Sequence, residues 1–165
     1  ISGPVNIDAP MFVKLINITS AQDMYNAVIE NSGNCDFIFK AAAVADYTPV
    51  SCADNKVKKS DNDMSIPLKR TNDILSYLGK SRKPHQIICG FSMETENMLE
   101  NSKAKLTKKN VDMICANNLK QNGAGFGGDT NIITIISKNG IKELPLLSKE
   151  SAANQIISEA IALNK

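Results

Sequence analysis

The sequence predicts an α/β fold: a three-layer, Rossmann-like, mostly parallel sheet with a protruding flap or hairpin. Three observations predict it. Short apolar strand-like runs alternate with stretches of helical periodicity. Three of those runs end in small or polar residues, at 41–47, 90–95 and 116–118, as strands do where an open α/β sheet meets a ligand. One segment, residues 51–70, breaks the rhythm with Asp, Asn, Ser and five basic residues, and cannot bury much.

The elements follow in order. Residues 12–18 read as a short strand. Thr19 or Ser20 can cap the next helix, whose apolar residues Ala21, Met24, Tyr25, Val28 and Ile29 recur at helical spacing until Gly33. Residues 36–42 form a buried strand. The flap is expected at about 51–70, around a weak strand at 64–68. Residues 72–82 are a short helix with Ile74, Leu75 and Leu78 on one face. Residues 86–91 are another apolar strand. Thr95 can cap a helix running to about Lys109, and residues 112–117 are a third core strand. Residues 131–137 and 143–147 are expected to pair around an Asn139-Gly140 turn. Ser148 caps a last helix with the apolar stripe Ala152, Ala153, Ile156, Ile157, Ala160 and Ile161.

A chain of 165 residues fits one domain with a real core. Its net charge of +2 does not call for a nucleic acid or a membrane surface. No apolar run approaches the roughly 20 residues of a membrane span, and no secretory signal opens the chain. Cys35, Cys52, Cys89 and Cys115 form no C-x-x-C pair and His85 stands alone, which argues against zinc. Three of these cysteines sit in or beside apolar runs, which fits a reducing, cytoplasmic setting.

Two features could carry chemistry. Asp46 follows small residues at a strand end, where it can hydrogen-bond a ribose or help hold magnesium; it can equally be a turn residue. Lys56, Lys58 and Lys59 on the flap, and Lys105 and Lys109 four apart on one helix face, can bind phosphate or simply form a solvated face. The run 123–128 satisfies G-x-G-x-x-G. It precedes a β run and opens no helix, so it reads as a flexible loop and not as an NAD site.

Several motifs occur in order: Gly3-Pro4-Val5, Ala42-Ala43-Val44-Ala45-Asp46-Tyr47, Lys56-Val57-Lys58-Lys59, Asn72-Asp73-Ile74-Leu75, Gly90-Phe91 with Glu94-Thr95, and Lys109-Asn110-Val111-Asp112-Met113-Ile114-Cys115-Ala116-Asn117. Together they resemble the phosphopantothenoylcysteine synthetase domain, the C-terminal half of bacterial bifunctional decarboxylase/synthetase proteins of coenzyme A synthesis. The resemblance spans residues 1–165. It implies a ligase that joins 4'-phosphopantothenate to cysteine, with CTP as co-substrate and Mg2+, through an acyl-cytidylate. It implies that Lys40, Ala41 and Ala42 line the nucleotide pocket and that Asp46 meets the ribose or metal. Lys56 becomes the catalytic flap lysine. Asn72, Asp73, Ile74, Leu75 and Phe91 hold the nucleotide, and Lys105 and Lys109 bind phosphate. It further implies a homodimer and an association with a flavin-dependent decarboxylase.

The chain departs from the family's pattern twice. Asn72 stands where the family has Pro, and Asn can cap a helix start as Pro would pre-set it. The family's Gly-rich first strand-turn-helix, with its V-R-x-I-x-N-type segment, is not in this sequence. An alternative therefore accompanies the ligase reading: a non-catalytic nucleotide-binding or dimerisation module.

Overall fold

The computed structural model describes residues 1–58, 63–94, 96–118 and 128–164. The elements run α1 (Ala21–Ser32), β1 (Phe37–Lys40), β2 (Tyr47–Pro49), β3 (Leu68–Arg70) and α2 (Ile74–Ser81). They continue with β4 (Ile87–Glu94), α3 (Met98–Lys109), β5 (Met113–Asn118), β6 (Thr130–Asn131) and β7 (Ile133–Ser137). The chain ends with β8 (Gly140–Glu143), β9 (Leu147–Ser148) and α4 (Lys149–Leu163). It divides into two units: Ile1–Ile29 with Ala42–Asp73, and Glu30–Ala41 with Ile74–Lys165. No described helix is long and apolar enough to cross a membrane.

The larger unit holds a five-stranded sheet in the order β1-β4-β5-β7-β8. β1, β4 and β5 are parallel, and the β7–β8 hairpin adds two antiparallel strands at one edge. Period-two alternation sends Ile87, Cys89, Met113, Cys115, Ile133 and Ile135 to one face, where they pack on Ala152, Ile156 and Ala160 of α4. On the other face, Gly90 lies against Leu75 of α2 and Ile114 of β5; a Cβ on Gly90 would stand 2.6 Å from Leu75 Cδ2. Two helical layers thus enclose the sheet, as the alternating pattern predicts.

At the amino ends of the strands lies a buried polar bracket. Asp112, 5 % exposed, takes the Ile88 amide at 2.9 Å and the Arg82 guanidinium at 2.8 Å, with Lys138 Nζ at 3.4 Å. Gln86, just before β4, donates to the carbonyls of Ser32 at 2.7 Å and Cys35 at 2.8 Å. Asp112 and Gln86 both find partners, so their burial costs little.

The smaller unit has less regular structure. α1 opens on a capping box: Ser20 Oγ accepts from the Asp23 amide at 3.1 Å, and Asp23 Oδ2 accepts from the Ser20 amide at 2.9 Å. Hydrogen bonds from the Ser20 hydroxyl, then the Ser20 amide and Thr19, hold the Asp23 carboxyl below the usual carboxylate range. β2 and β3 pair antiparallel, with Tyr47 opposite Arg70 and Pro49 opposite Leu68.

Several elements differ from the expectation. Residues 12–18 form no strand. Asn17 makes one parallel bridge to Ser2, while Phe12 adopts φ 64° with its side chain fully exposed. An apolar run without a paired neighbour on both sides has nothing to bury against, so its β-propensity is not realised. β1 is half-buried, with Phe39 exposed, because it pairs on one side only among the described residues. The strand expected at 64–68 lies at Leu68–Arg70. Thr95 lies outside the described residues, and α3 instead begins after Asn97, whose φ of 49° is left-handed and whose side chain makes no capping bond. The β7–β8 turn is Lys138-Asn139, one residue earlier than expected. Gly140 begins β8 at φ 132°, which glycine alone adopts without strain. Only Ala152, Ile156 and Ala160 of the α4 stripe are buried; Ile157 and Ile161 are exposed. Residues 123–127 of the Gly-rich loop lie outside the described residues.

Candidate functional site

In the smaller unit, chain geometry builds two cavities from predicted residues. The first, about 320 Å³, is lined by Gly3, Ile18, the first residues of α1 and Ala42–Ala45. Four small residues leave backbone exposed to a ligand, and the start of α1 adds the partial positive charge of a helix amino end. The second, about 220 Å³, is lined by Asp46, Tyr47, Arg70, Thr71, Asn72 and Asp73. The hairpin closure fixes its walls. The Thr71 amide donates to the Asp46 carbonyl at 3.0 Å, and Thr71 Oγ1 donates to the Ala45 carbonyl at 2.6 Å. Asn72 Nδ2 donates to Gln22 Oε1 of α1 at 3.0 Å. The Arg70 guanidinium sits 5.9 Å from the Tyr47 ring centre, a cation–π arrangement between directly paired residues.

Asp46, Asn72 and Asp73 are therefore brought together, whereas Ala42 belongs to the first cavity. Lys56 and Lys58 stand exposed on the chain between β2 and β3, and line neither cavity. Lys59 lies outside the described residues. Arg70 and Thr71 were not anticipated. Nothing in the local pattern marks them; only the register of β2 against β3 puts Arg70 opposite Tyr47.

The other predicted residues belong to the larger unit. Lys40 ends β1 opposite Gly90, and Ala41 follows it. Ile74 and Leu75 are core residues at 2 % and 5 % exposure, so they can offer a ligand little beyond backbone. Phe91 is partly buried against the core, and its carbonyl accepts from Lys105 Nζ at 3.4 Å. Lys105 and Lys109 stand one turn apart on α3, and Lys109 ends the helix where its carbonyl approaches Gly79 of α2.

The carboxyl ends of β4 and β5 carry polar groups of their own. Ser92 Oγ donates to Glu94 Oε1 at 2.8 Å, and Asn101 Nδ2 to Glu94 Oε2 at 3.3 Å. Asn117, beside Met93 in register, buries its Oδ1 with no hydrogen-bond partner among the described residues. A buried acceptor left open at a ligand-binding sheet edge is a candidate contact. The polar strand end at 116–118 is legible in the sequence, whereas the isolation of this atom is not.

A family model for the DNA/pantothenate metabolism flavoprotein C-terminal domain matches residues 1–163. A coenzyme A biosynthesis bifunctional protein CoaBC from Bacillus subtilis is 47 % identical over 167 residues, covering 100 % of this chain and 41 % of that protein. A cysteine/cysteine sulfinic acid decarboxylase from an unknown prokaryotic organism is 42 % identical, over 98 % of this chain and 45 % of its own length. The crystal structure of the C-terminal domain of a CoaBC protein superposes with a TM-score of 0.79 at 39 % identity, covering 98 % of this chain and 73 % of that one. The chain spans less than half the length of these curated relatives. Its match from the first motif to the last helix makes it a member of the DNA/pantothenate metabolism flavoprotein C-terminal domain family.

Proposed function

We propose that this chain is the synthetase part of a phosphopantothenate–cysteine ligase of coenzyme A biosynthesis. It activates the carboxylate of 4'-phosphopantothenate with CTP, and cysteine then displaces CMP from the acyl-cytidylate. The observation that carries the reading is the first cavity, where Gly3, the start of α1 and Ala42–Ala45 present backbone to a ligand, in a chain whose relatives are named for coenzyme A biosynthesis. The family resemblance supplies the proposed nucleotide contacts: Ala42, Asp46, Lys56, Asn72 and Asp73 in the smaller unit, and Lys40, Ala41, Ile74, Leu75, Phe91, Lys105 and Lys109 in the larger one, to which the Asn117 oxygen is added. Such chemistry is mostly positioning and neutralisation of phosphate charge. Exposed Lys56 has the reach and freedom of a closing lysine.

Among the described residues no three His, Cys, Asp or Glu side chains gather to hold a metal. That fits magnesium arriving on the phosphates of the nucleotide, which needs one or two carboxylates at most. Asp46 is the proposed carboxylate for that ion. All four cysteines are free thiols, which supports the reducing cytoplasm as the setting. A homodimer and an associated decarboxylase complete the reading; the exposed β2–β3 pair supports the former.

In a thermal-shift assay on the complete gene product, CTP with Mg2+ at a hundred times its Kd should add about 2.7 kcal/mol, and NAD nothing. No response to CTP sinks the proposal. Lys56→Gln should bind CTP as before but turn over on the order of a hundredfold more slowly; wild-type turnover removes its role. A second reading, a non-catalytic nucleotide-binding module, draws on the 42 % identity to a protein named for decarboxylation. CTP binding without pyrophosphate release, given 4'-phosphopantothenate, would select it.

A further inference from the structure

β8 is the last strand of the five-stranded sheet, and among the described residues nothing pairs with its outer edge. Register shows which groups that edge presents. Ladder hydrogen bonds alternate along an antiparallel pair. The Leu144 amide donates to the Ile133 carbonyl at 2.9 Å, so Lys142 and Gly140 face β7 in the same way. Ile141 and Glu143 therefore turn their amides and carbonyls outward. Beside this edge lies a groove of about 500 Å³, bounded by α3 and wholly within the larger unit. Leu106, Ile136 and Ile141 give it an apolar floor, and Ile141 is still 43 % exposed there. Lys103 and Lys138 stand on its rim, and among the described residues no carboxylate lines it. Lys138 touches Asp112 at 3.4 Å, but Arg82 holds that carboxylate at 2.8 Å, so Lys138 can turn to a ligand.

We propose that the groove between α3 and β8 takes an extended acidic peptide segment of a partner protein. The segment adds as a strand to β8 and sets its carboxylates on Lys103 and Lys138. Two properties of the groove select this occupant. The outward amides and carbonyls of Ile141 and Glu143 are a donor and acceptor row that another extended backbone matches. The apolar floor between two cations calls for an apolar side chain between two acids. An extended chain sends every second side chain to one face, so a single peptide meets both demands. A nucleotide or a fatty acid would answer the lysines and leave the edge unpaired. A second copy pairing through its own β8 would bring a second pair of lysines to the same edge, which charge disfavours.

The test uses the complete gene product and a dye-labelled, end-capped synthetic peptide, Glu-Thr-Leu-Thr-Glu, in which both acids and the leucine share one face. Fluorescence anisotropy should show binding with a Kd of about 0.1 mM or tighter. Amide exchange at Ile141 and Glu143 should slow about threefold or more when the peptide is added. Lys103→Glu, at an exposed helix position, should weaken binding about tenfold or more. The same peptide N-methylated at its three central residues keeps the charges but cannot pair with a strand, and should lose binding to a similar degree. No binding at 1 mM peptide overturns the proposal, as does equal binding of the N-methylated peptide or of the Lys103→Glu protein. Slow exchange at Ile141 and Glu143 before any peptide is added also overturns it, because β8 is then already paired, as a second copy would pair it.

Discussion

Asp112 shows how much one side chain can hold. It satisfies the Ile88 amide and neutralises Arg82, whose side chain is only 17 % exposed. Asp112→Asn keeps the shape and an acceptor but strands the guanidinium. Breaking one partner of a buried pair costs about 3 to 5 kcal/mol, and the partial exposure of Arg82 puts this case near the lower figure. Urea unfolding should show a loss of about 3 kcal/mol, a large share of the roughly 5 to 15 kcal/mol typical of whole domains. A loss under about 1 kcal/mol would mean that water already solvates the pair. Lys138 contributes less, because its side chain is 65 % exposed. In the sequence Asp112 marks the start of a core strand, but nothing there ties it to Arg82, which lies 30 positions earlier in the chain.

At the scale of elements, α2 and α3 cross closely at Gly79. A Cβ there would stand 1.7 Å from the Lys109 carbonyl oxygen, a backbone atom with no freedom to move alone. The contact is locked by Asn110, which caps α3 in the left-handed region at φ 53° and donates from Nδ2 to the Gly79 carbonyl at 2.8 Å. Gly79→Ala therefore has to part the two helices, at a cost of about 3 kcal/mol or more in an overpacked interface. Gly33→Ala is the control, since nothing among the described residues lies within 4 Å of its added carbon. Equal unfolding midpoints for the two variants would refute the close crossing. The elements themselves were legible where periodicity was long: α1, α4, β4 and β5 were all foreseen from apolar spacing. Short pieces were not. Residues 12–18 have strand composition but one bridge, and the β7–β8 turn slipped by a residue because Gly140 serves a strand start and not the turn.

For the molecule as a whole, pH should act at two ends. Cys89 lies buried with its Sγ 3.6 Å from Cys115 Sγ. The hydrogen bond to Cys115, and then burial, push its thiol far above the ordinary value of 9.0. The folded protein keeps that proton where the unfolded chain gives it up. Stability is thus fully present below about pH 9 and falls above it, by about 1.4 kcal/mol per pH unit for one thiol. Asp23 works in the opposite sense: its lowered pKa lends stability above the ordinary 3.8 that is lost as pH falls through the folded value. Unfolding midpoints measured from pH 8 to 10 should decline in wild type and decline less in Cys89→Ala; parallel curves would remove the thiol from the account. Fold class and most strands were readable because burial patterns repeat. The second cavity was only half readable: Asp46, Asn72 and Asp73 belong to motifs, whereas Arg70 earns its place through cross-strand register alone. The polar bracket around Asp112 and Gln86 sits at the amino ends of the parallel strands, and the open Asn117 oxygen and Glu94 lie at the carboxyl ends. The two ends share no residue, so a substitution of Asn117 or Glu94 leaves the clamp that holds β4 and β5 together untouched.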